Sequence, residues 1–598
     1  MNFYQFIIPR LNGKDIEKDF DYYLGLVKKG IAGFIIFGGK LEIVRQGISE
    51  LQKEAERPLI IAADLERGLG QQIEGGTIFP PAMAIAAAIT PPVPPLAKGG
   101  IKGGWGQVSG SRLTLLRKAF KAIAVEARDA GINTIFAPVL DINTNPKNPI
   151  ISTRAFGEDA ETVSFFGIEM IKALQANGIA ACGKHFPGHG DTEIDSHIGL
   201  PLIKKDIQSL EKTELAPFRS AVKAGVKMIM LGHLKVPALD PSGIPVSLSE
   251  KAVRYLRDRM GFKGILITDA MNMGALTQDV IARSPEKIGT TWQSKNEIAS
   301  LSARNDRIEE RASLMALRAG VDLLLHPTDT ERVVSYLQQR FSVQPPADPP
   351  RRTNGCQLSA NTLFRKSLRL VRTQADSQRR ATEKIKTPAA PDFGKNRRLS
   401  EKITKMSLKI DGQIGPLKKP FLIILNDAEN APSPIPLPRW EGLMGRVEDV
   451  SLSEKGRILA ERLKEKFPDL KLQILKRSSR IQKLSVPDNA SVIAAIFSGI
   501  KAWKGGPSPW LLKCIKKLED RAEIFISFGS PYMMDGIGDC PGTTPFKSPF
   551  FKGEVRTPFF IPPYERGLGG CRIGTVPAVK IYAWWDSEAA QKAVAEVL

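Results

Sequence analysis

Short, almost continuously apolar runs alternate with longer amphipathic stretches over the first 330 or so residues of the chain. The runs at 5–9, 33–37, 59–64, 134–142, 180–185, 227–232, 264–269 and 322–326 carry few polar positions, as strands buried on both faces should. Between them, residues 15–29, 41–55, 113–129, 160–176, 213–224, 248–259 and 307–319 repeat apolar side chains at helical spacing. Eight strands with intervening helices predict an α/β fold, a TIM-like (β/α)8 barrel that is irregular at its early strands. A doubly wound sheet would use the same elements, but no glycine-rich dinucleotide fingerprint follows the first run.

The pattern changes after residue 330. One more helix is followed by Pro345-Pro346-Ala347-Asp348-Pro349-Pro350, then by basic helical stretches near 360–373 and 394–408. New apolar runs at 421–425, 471–475, 491–497 and 523–527 predict a smaller, sandwich-like α/β domain. The expected division is a (β/α)8-type barrel over 1–340, a basic linker with helices over 341–409, and a C-terminal α/β domain over 410–598. Four segments interrupt it. Those near 90–110, 432–445 and 541–570 share a Pro-rich, Gly-Lys-rich composition, and 280–306 is polar and aperiodic. Such segments cannot pack a core and are expected as surface insertions.

Composition narrows the class. The 598 residues are 42% hydrophobic and 25% charged, a globular balance. No apolar run reaches the ~18 residues of a membrane helix, and the first residues lack the basic and apolar regions of a signal peptide. The expectation is a cytoplasmic protein without a membrane partner. Five scattered cysteines with no CxxC pair are read as reduced thiols. A net charge of +22 raises the question of nucleic acid, but residues 341–420 hold 18 Lys and Arg against 6 Asp and Glu. More than half of the excess therefore sits in this one stretch, read as a solvated linker face rather than a nucleic-acid groove.

The chemistry concentrates elsewhere. Three of the five histidines fall within Lys184-His185-Phe186-Pro187-Gly188-His189-Gly190-Asp191-Thr192-Glu193-Ile194-Asp195-Ser196-His197, which begins at a strand's C-terminal end, where barrel active sites sit. His and Asp also bind zinc, but no HExxH motif or second ligand cluster accompanies them, so neither a metal nor another cofactor is expected. Ile265-Leu266-Ile267-Thr268-Asp269 and Ile60-Ile61-Ala62-Ala63-Asp64 each deliver a carboxylate at the end of an apolar strand, a placement that is costly unless the group works or is paired. A fourth segment, from Asn145-Pro146 to Arg154 and Asp159, follows the run 134–142. Carboxylates accept hydrogen bonds from hydroxyls, and Lys and Arg donate to them, so this set suits a polyhydroxylated substrate.

The run KHFPGHGDTEIDSH, with TDAMNMGAL further on, resembles glycoside hydrolase family 3, in the β-N-acetylglucosaminidase (β-N-acetylhexosaminidase) branch that trims cell-wall muropeptides. The resemblance covers residues 3–340 and extends weakly through 394–408 into the second domain. It implies a retaining exo-glycosidase acting on terminal β-linked N-acetylglucosamine, with Asp269 as nucleophile, His197 as general acid/base and Asp195 as its dyad partner. It further implies that Asp64, Arg154, Lys184 and His185 hold the terminal sugar's hydroxyls. One position departs: where the family's run places a substrate-binding Arg, this chain has Gln72, with Arg67 the nearest alternative cation. An N-acetylglucosaminide phosphorylase using the same nucleophile and an idle sugar-binding protein are the alternatives.

Overall fold

A computed structural model describes residues 2–90, 108–197, 199–276 and 301–342, most of 390–426, 456–476, 490–497, 508–528, 579–583 and 587–598, and a few isolated positions between. The expected insertions at 432–445 and 541–570 lie outside the described residues, as do 91–107, 277–300 and most of the first basic stretch, 360–368. Residues 301–306, expected in a polar insertion, instead open the helix Leu301–Ala319.

The first apolar run is not one continuous strand. A 3-10 turn, Phe3–Phe6, precedes β1 (Ile7–Ile8), and β2 (Arg10–Asn12) follows after Pro9, which has no N–H to give to a ladder. β1 pairs in parallel with β9 (Leu323–Leu325), and β2 pairs in parallel with β3 (Gly33–Phe37). The two halves of one strand thus close the sheet, whose order continues through β4 (Ile60–Ala63), β5 (Thr134–Ile135), β6 (Ala180–Phe186), β7 (Met228–Leu231) and β8 (Ile265–Ala270). Every ladder in it is parallel. This is a closed barrel, not an open doubly wound sheet. β5 is far shorter than the run 134–142, because Pro138 interrupts the donor series; beyond it only the bridge between Val139 and Lys184 continues the pairing.

Strand periodicity sorts the core. Ile8, Ile35, Ile60, Ala62, Phe136, Cys182, Met230, Ile267 and Leu325 form the barrel interior, while Ile7, Phe34, Ile61, Ala181, Ile229, Leu266 and Leu324 pack outward against the helices. Because successive side chains alternate faces, extending the inward register by two leads from Ala62 to Asp64, from Cys182 to Lys184 and from Ile267 to Asp269. The polar site is the top layer of an apolar barrel.

The second sheet has the order β10 (Lys409–Asp411), β15 (Val579–Tyr582), β14 (Ala522–Phe528), β13 (Val492–Phe497), β11 (Phe421–Asn426), β12 (Lys471–Lys476). It is parallel except for β10, which the apolar pattern missed. Helices Arg457–Lys466 and Glu588–Val597 cover one face and Pro509–Leu518 the other, giving a three-layer α/β sandwich. Helix Phe393–Ser407 joins the two units. Ser400 Oγ donates to the Ile78 carbonyl at 2.7 Å, Asn396 Nδ2 donates to the buried Glu126 at 2.8 Å, and Ile403 enters the barrel's outer core. At its other end Lys405 pairs with Glu596 of the last helix.

Candidate active site

The loop after β6 is fixed at its start by one carboxylate. Asp141 Oδ1 accepts the amides of His185 (3.1 Å) and His189 (2.7 Å), and Oδ2 accepts from His185 Nδ1 at 2.7 Å. Burial opposes ionisation of Asp141 most strongly, yet the two histidines and these hydrogen bonds hold its pKa below the usual carboxylate range. With Nδ1 donating, His185 presents Nε2 away from Asp141.

His189 is occupied on both ring nitrogens. The Thr192 hydroxyl donates to the His189 carbonyl at 3.0 Å, so the ring Nδ1–H donates to Thr192 Oγ1 at 2.7 Å and Nε2 accepts from Ser196 Oγ at 3.0 Å. Burial lowers its pKa to about 4, so at neutral pH it is an uncharged brace. Ser196 lies between Asp195 and His197. Asp195, itself buried, accepts both the backbone amide (2.8 Å) and Nδ1 (2.7 Å) of His197 through Oδ1. His197 keeps a quarter of its side chain exposed, with Nε2 as its remaining nitrogen.

The β8 loop meets the β6 loop directly. The amides of Gly274 and Ala275 donate to the carbonyls of His197 (3.2 Å) and Ser196 (3.0 Å). Asp269, at the end of β8, accepts the Ala270 amide through Oδ1 at 2.8 Å. Its burial works against the charged form, but His185, His233, the Ala270 amide and His197 together keep its pKa below the ordinary value. The result is an ionised carboxylate, half-buried and surrounded by imidazoles.

The remaining site residues form an alternating chain of charges. Lys184 Nζ contacts Asp64 Oδ1 at 2.6 Å and Glu66 Oε1 at 2.7 Å. Glu66 in turn grips Arg154 with two parallel bonds, Nη2 to Oε1 at 2.8 Å and Nε to Oε2 at 3.0 Å. Burial alone would neutralise Glu66, but Arg154 and Lys184 outweigh it and hold the carboxyl far below its usual range. Burial and the neighbouring Arg154 oppose the charge on Lys184, but Asp64 and Glu66 outweigh them and raise its pKa. Two acids and two bases cancel, leaving N–H donors of Lys184 and Arg154 for a ligand.

All seven residues named from the sequence (Asp269, His197, Asp195, Asp64, Arg154, Lys184 and His185) lie at the C-terminal mouth of the barrel, joined by these contacts. Three others were missed. Asp141 ends an apolar run just as Asp64 and Asp269 do, Glu66 shares the register of Asp64, and His233 follows the run 227–232, so each left a signal in the sequence. Arg67, the alternative to the Arg replaced by Gln72, donates through Nε to the Phe79 carbonyl at 3.2 Å. Among the described residues, no group of three His, Cys, Asp or Glu side chains has the arrangement of a metal site, and no helix is long and apolar enough to cross a membrane.

Residues 21–343 match the glycosyl hydrolase family 3 N-terminal domain. A beta-hexosaminidase A of Pseudoalteromonas piscicida is 32% identical over 310 residues, covering 44% of this chain and 49% of that protein. A beta-N-acetylglucosaminidase/beta-glucosidase of Cellulomonas fimi is 34% identical over 274 residues, 44% of each. The chain thus spans about half the length of these two relatives; it covers 79% of a 31% identical beta-hexosaminidase from Nitrosomonas eutropha, over 52% of its own length. Among solved structures, a family 3 beta-N-acetylglucosaminidase from Paenibacillus sp. str. FPU-7 aligns with a TM-score of 0.68 at 23% identity, covering all of this chain and 95% of that one. A beta-glucoside phosphorylase bound to 2FGlc aligns at 0.67 and 18% identity, covering all of this chain and 91% of that one. At such identities the likeness is one of fold.

Proposed function

Because this chain belongs to glycosyl hydrolase family 3, we propose that it is a retaining exo-glycosidase that removes terminal β-linked N-acetylhexosamine, with peptidoglycan fragments as its substrate class. The observation that carries this reading is the pairing of a half-buried, ionised Asp269 with a His197–Asp195 dyad whose loop is hydrogen-bonded to the nucleophile's own loop. In this reading Asp269 attacks the anomeric carbon while protonated His197 gives its Nε2 proton to the leaving oxygen. Asp195 stabilises the imidazolium and fixes its orientation. The glycosyl-enzyme is then hydrolysed by water that neutral His197 deprotonates. Asp64, Lys184, Arg154 and His185 hold the sugar's hydroxyls. The names carried by the relatives support the N-acetylhexosamine preference.

The test compares an activated nitrophenyl N-acetyl-β-glucosaminide with a muropeptide. Asp269→Ala should be inactive on both. His197→Ala should lose a further ~10²–10⁴-fold on the muropeptide, whose leaving group needs the proton, and Asp195→Ala should be a milder version of it. Equal losses on both substrates for His197→Ala would refute the acid/base role. A sugar 1-phosphate product formed only in phosphate buffer would instead make the enzyme a phosphorylase.

A further inference from the structure

His233 stands at the end of β7, fully buried and outside the set of residues to which the reaction above assigns roles. Its Nε2 lies 3.0 Å from the Ala270 carbonyl, and its Nδ1 lies 2.6 Å from Ser247 Oγ. A carbonyl only accepts, so Nε2 carries the proton; Nδ1 then accepts from the Ser247 hydroxyl. The Ala270 residue is therefore held on both sides. Its N–H donates to the Asp269 carboxylate and its C=O accepts from His233.

We propose that His233 is a positioning residue for the nucleophile: by clamping the Ala270 carbonyl it fixes the peptide that sets the direction of the Asp269 carboxylate. The proposal rests on the reading of Asp269 as the nucleophile. The chemistry favours a neutral ring for this task. A carboxylate at this spot would repel both Asp269 and the carbonyl, and a Lys would have no acceptor for Ser247. An imidazole with one donor and one acceptor satisfies both neighbours. Burial lowers the His233 pKa, which keeps the ring in that one-donor, one-acceptor form at neutral pH. Ser247 lies in the 3-10 turn Val246–Leu248, so the clamp braces the end of β8 against the loop that follows β7.

The experiment reads the burst of nitrophenol released as the Asp269–sugar bond forms, together with KM and Tm. His233→Phe fills the space without a donor and should slow the burst by about 10- to 100-fold, the usual effect of a small misplacement of a reacting group. KM should change by less than about threefold and Tm by only a few degrees, because the sugar contacts are elsewhere. His233→Gln, which keeps a donor for Ala270 and an acceptor for Ser247, should return the burst rate to within about fivefold of wild type. An unchanged burst in His233→Phe, or a Gln variant no better than Phe, would overturn the proposal. If His233→Phe does not fold, Ser247→Ala reads the other end of the clamp by removing the hydroxyl that fixes the ring through Nδ1: a burst slowed about 3- to 10-fold at constant KM supports the clamp, and an unaltered burst overturns it. Asp269→Ala is run alongside. A burst retained there brings down the nucleophile reading and the proposal with it, whereas a burst lost there but kept in His233→Phe brings down only the clamp.

Discussion

Glu66→Gln is the most informative single substitution at the sugar-holding end of the site. Glu66 accepts one bond from Lys184 and two from Arg154. Gln keeps the shape and one acceptor, but it turns an N–H donor toward a cation and changes the net charge of the four groups from zero to +1. Removing one member of a buried ion pair costs about 3–5 kcal/mol. Arg154 retains 28% of its side-chain exposure, so water compensates in part and the lower end, about 3 kcal/mol, is expected. For a domain of this size that corresponds to a fall in Tm of about 5 °C. Lys184 and Arg154 also lose the group that aims them. Each charge-assisted hydrogen bond to a sugar hydroxyl is worth about 1.5–3 kcal/mol, so KM should rise about 10- to 100-fold, with kcat falling less. The pH dependence has a fixed sign. The folded pKa lies below the ordinary 4.5, so this stabilisation is complete above about pH 4.5 and fades as pH falls toward the folded value. The Tm gap between wild type and variant should accordingly be constant from neutral pH to about pH 5 and narrow below it. Differential scanning calorimetry across pH, with KM on a nitrophenyl N-acetyl-β-glucosaminide, checks both halves. A Tm within about 1 °C and a KM within about twofold of wild type would refute the reasoning.

Three further outcomes are expected. His189→Gln should show a smaller fall in Tm between pH 7 and 4.5 than wild type, because a buried histidine with a folded pKa of about 4 loses stabilisation as pH drops below about 6.5, where the unfolded chain binds the proton; an identical acid profile would contradict the neutral brace. Removing residues 92–106 should leave Tm within a few degrees, because Arg112 Nη1 ties the start of its helix to the Ala88 and Thr90 carbonyls at 3.1 and 3.0 Å and so keeps the flanks together; insoluble protein would count against it. Asn396→Leu should leave the Glu126 Oε1 carboxylate oxygen without its donor from the helix Phe393–Ser407 and lower Tm by several degrees, in line with about 1–3 kcal/mol for a buried acceptor that loses its partner, with kcat on the nitrophenyl substrate nearly unchanged; an unchanged Tm would mean that this hydrogen bond adds nothing to the hold on the helix.

Much of the barrel was legible along the chain because a strand buried on both faces must be apolar throughout, and a carboxylate ending such a strand is conspicuous. That rule picked out Asp64 and Asp269, and the His-rich loop announced itself by the density of titratable groups. Other features follow from distance in space. Pro9 splits the first strand, but only the pairing of Ile7–Ile8 with β9 and Arg10–Asn12 with β3 makes that split the closure of the barrel. Glu66 repeats the register of Asp64 along the chain; it becomes the hub of the sugar-holding charges only because β4, β6 and the turn at Ser152–Arg154 converge on it. His233 and Ala270 are 37 residues apart, and their contact exists because β7 and β8 are neighbours in the sheet. Sequence determined which residue types end each strand, since hydrophobic periodicity is local and additive. Tertiary structure decided which of those ends meet, because burial removes water as a competing partner, and the charge, tautomer and direction of each group are then set by whatever side chain the fold places within about 3 Å of it.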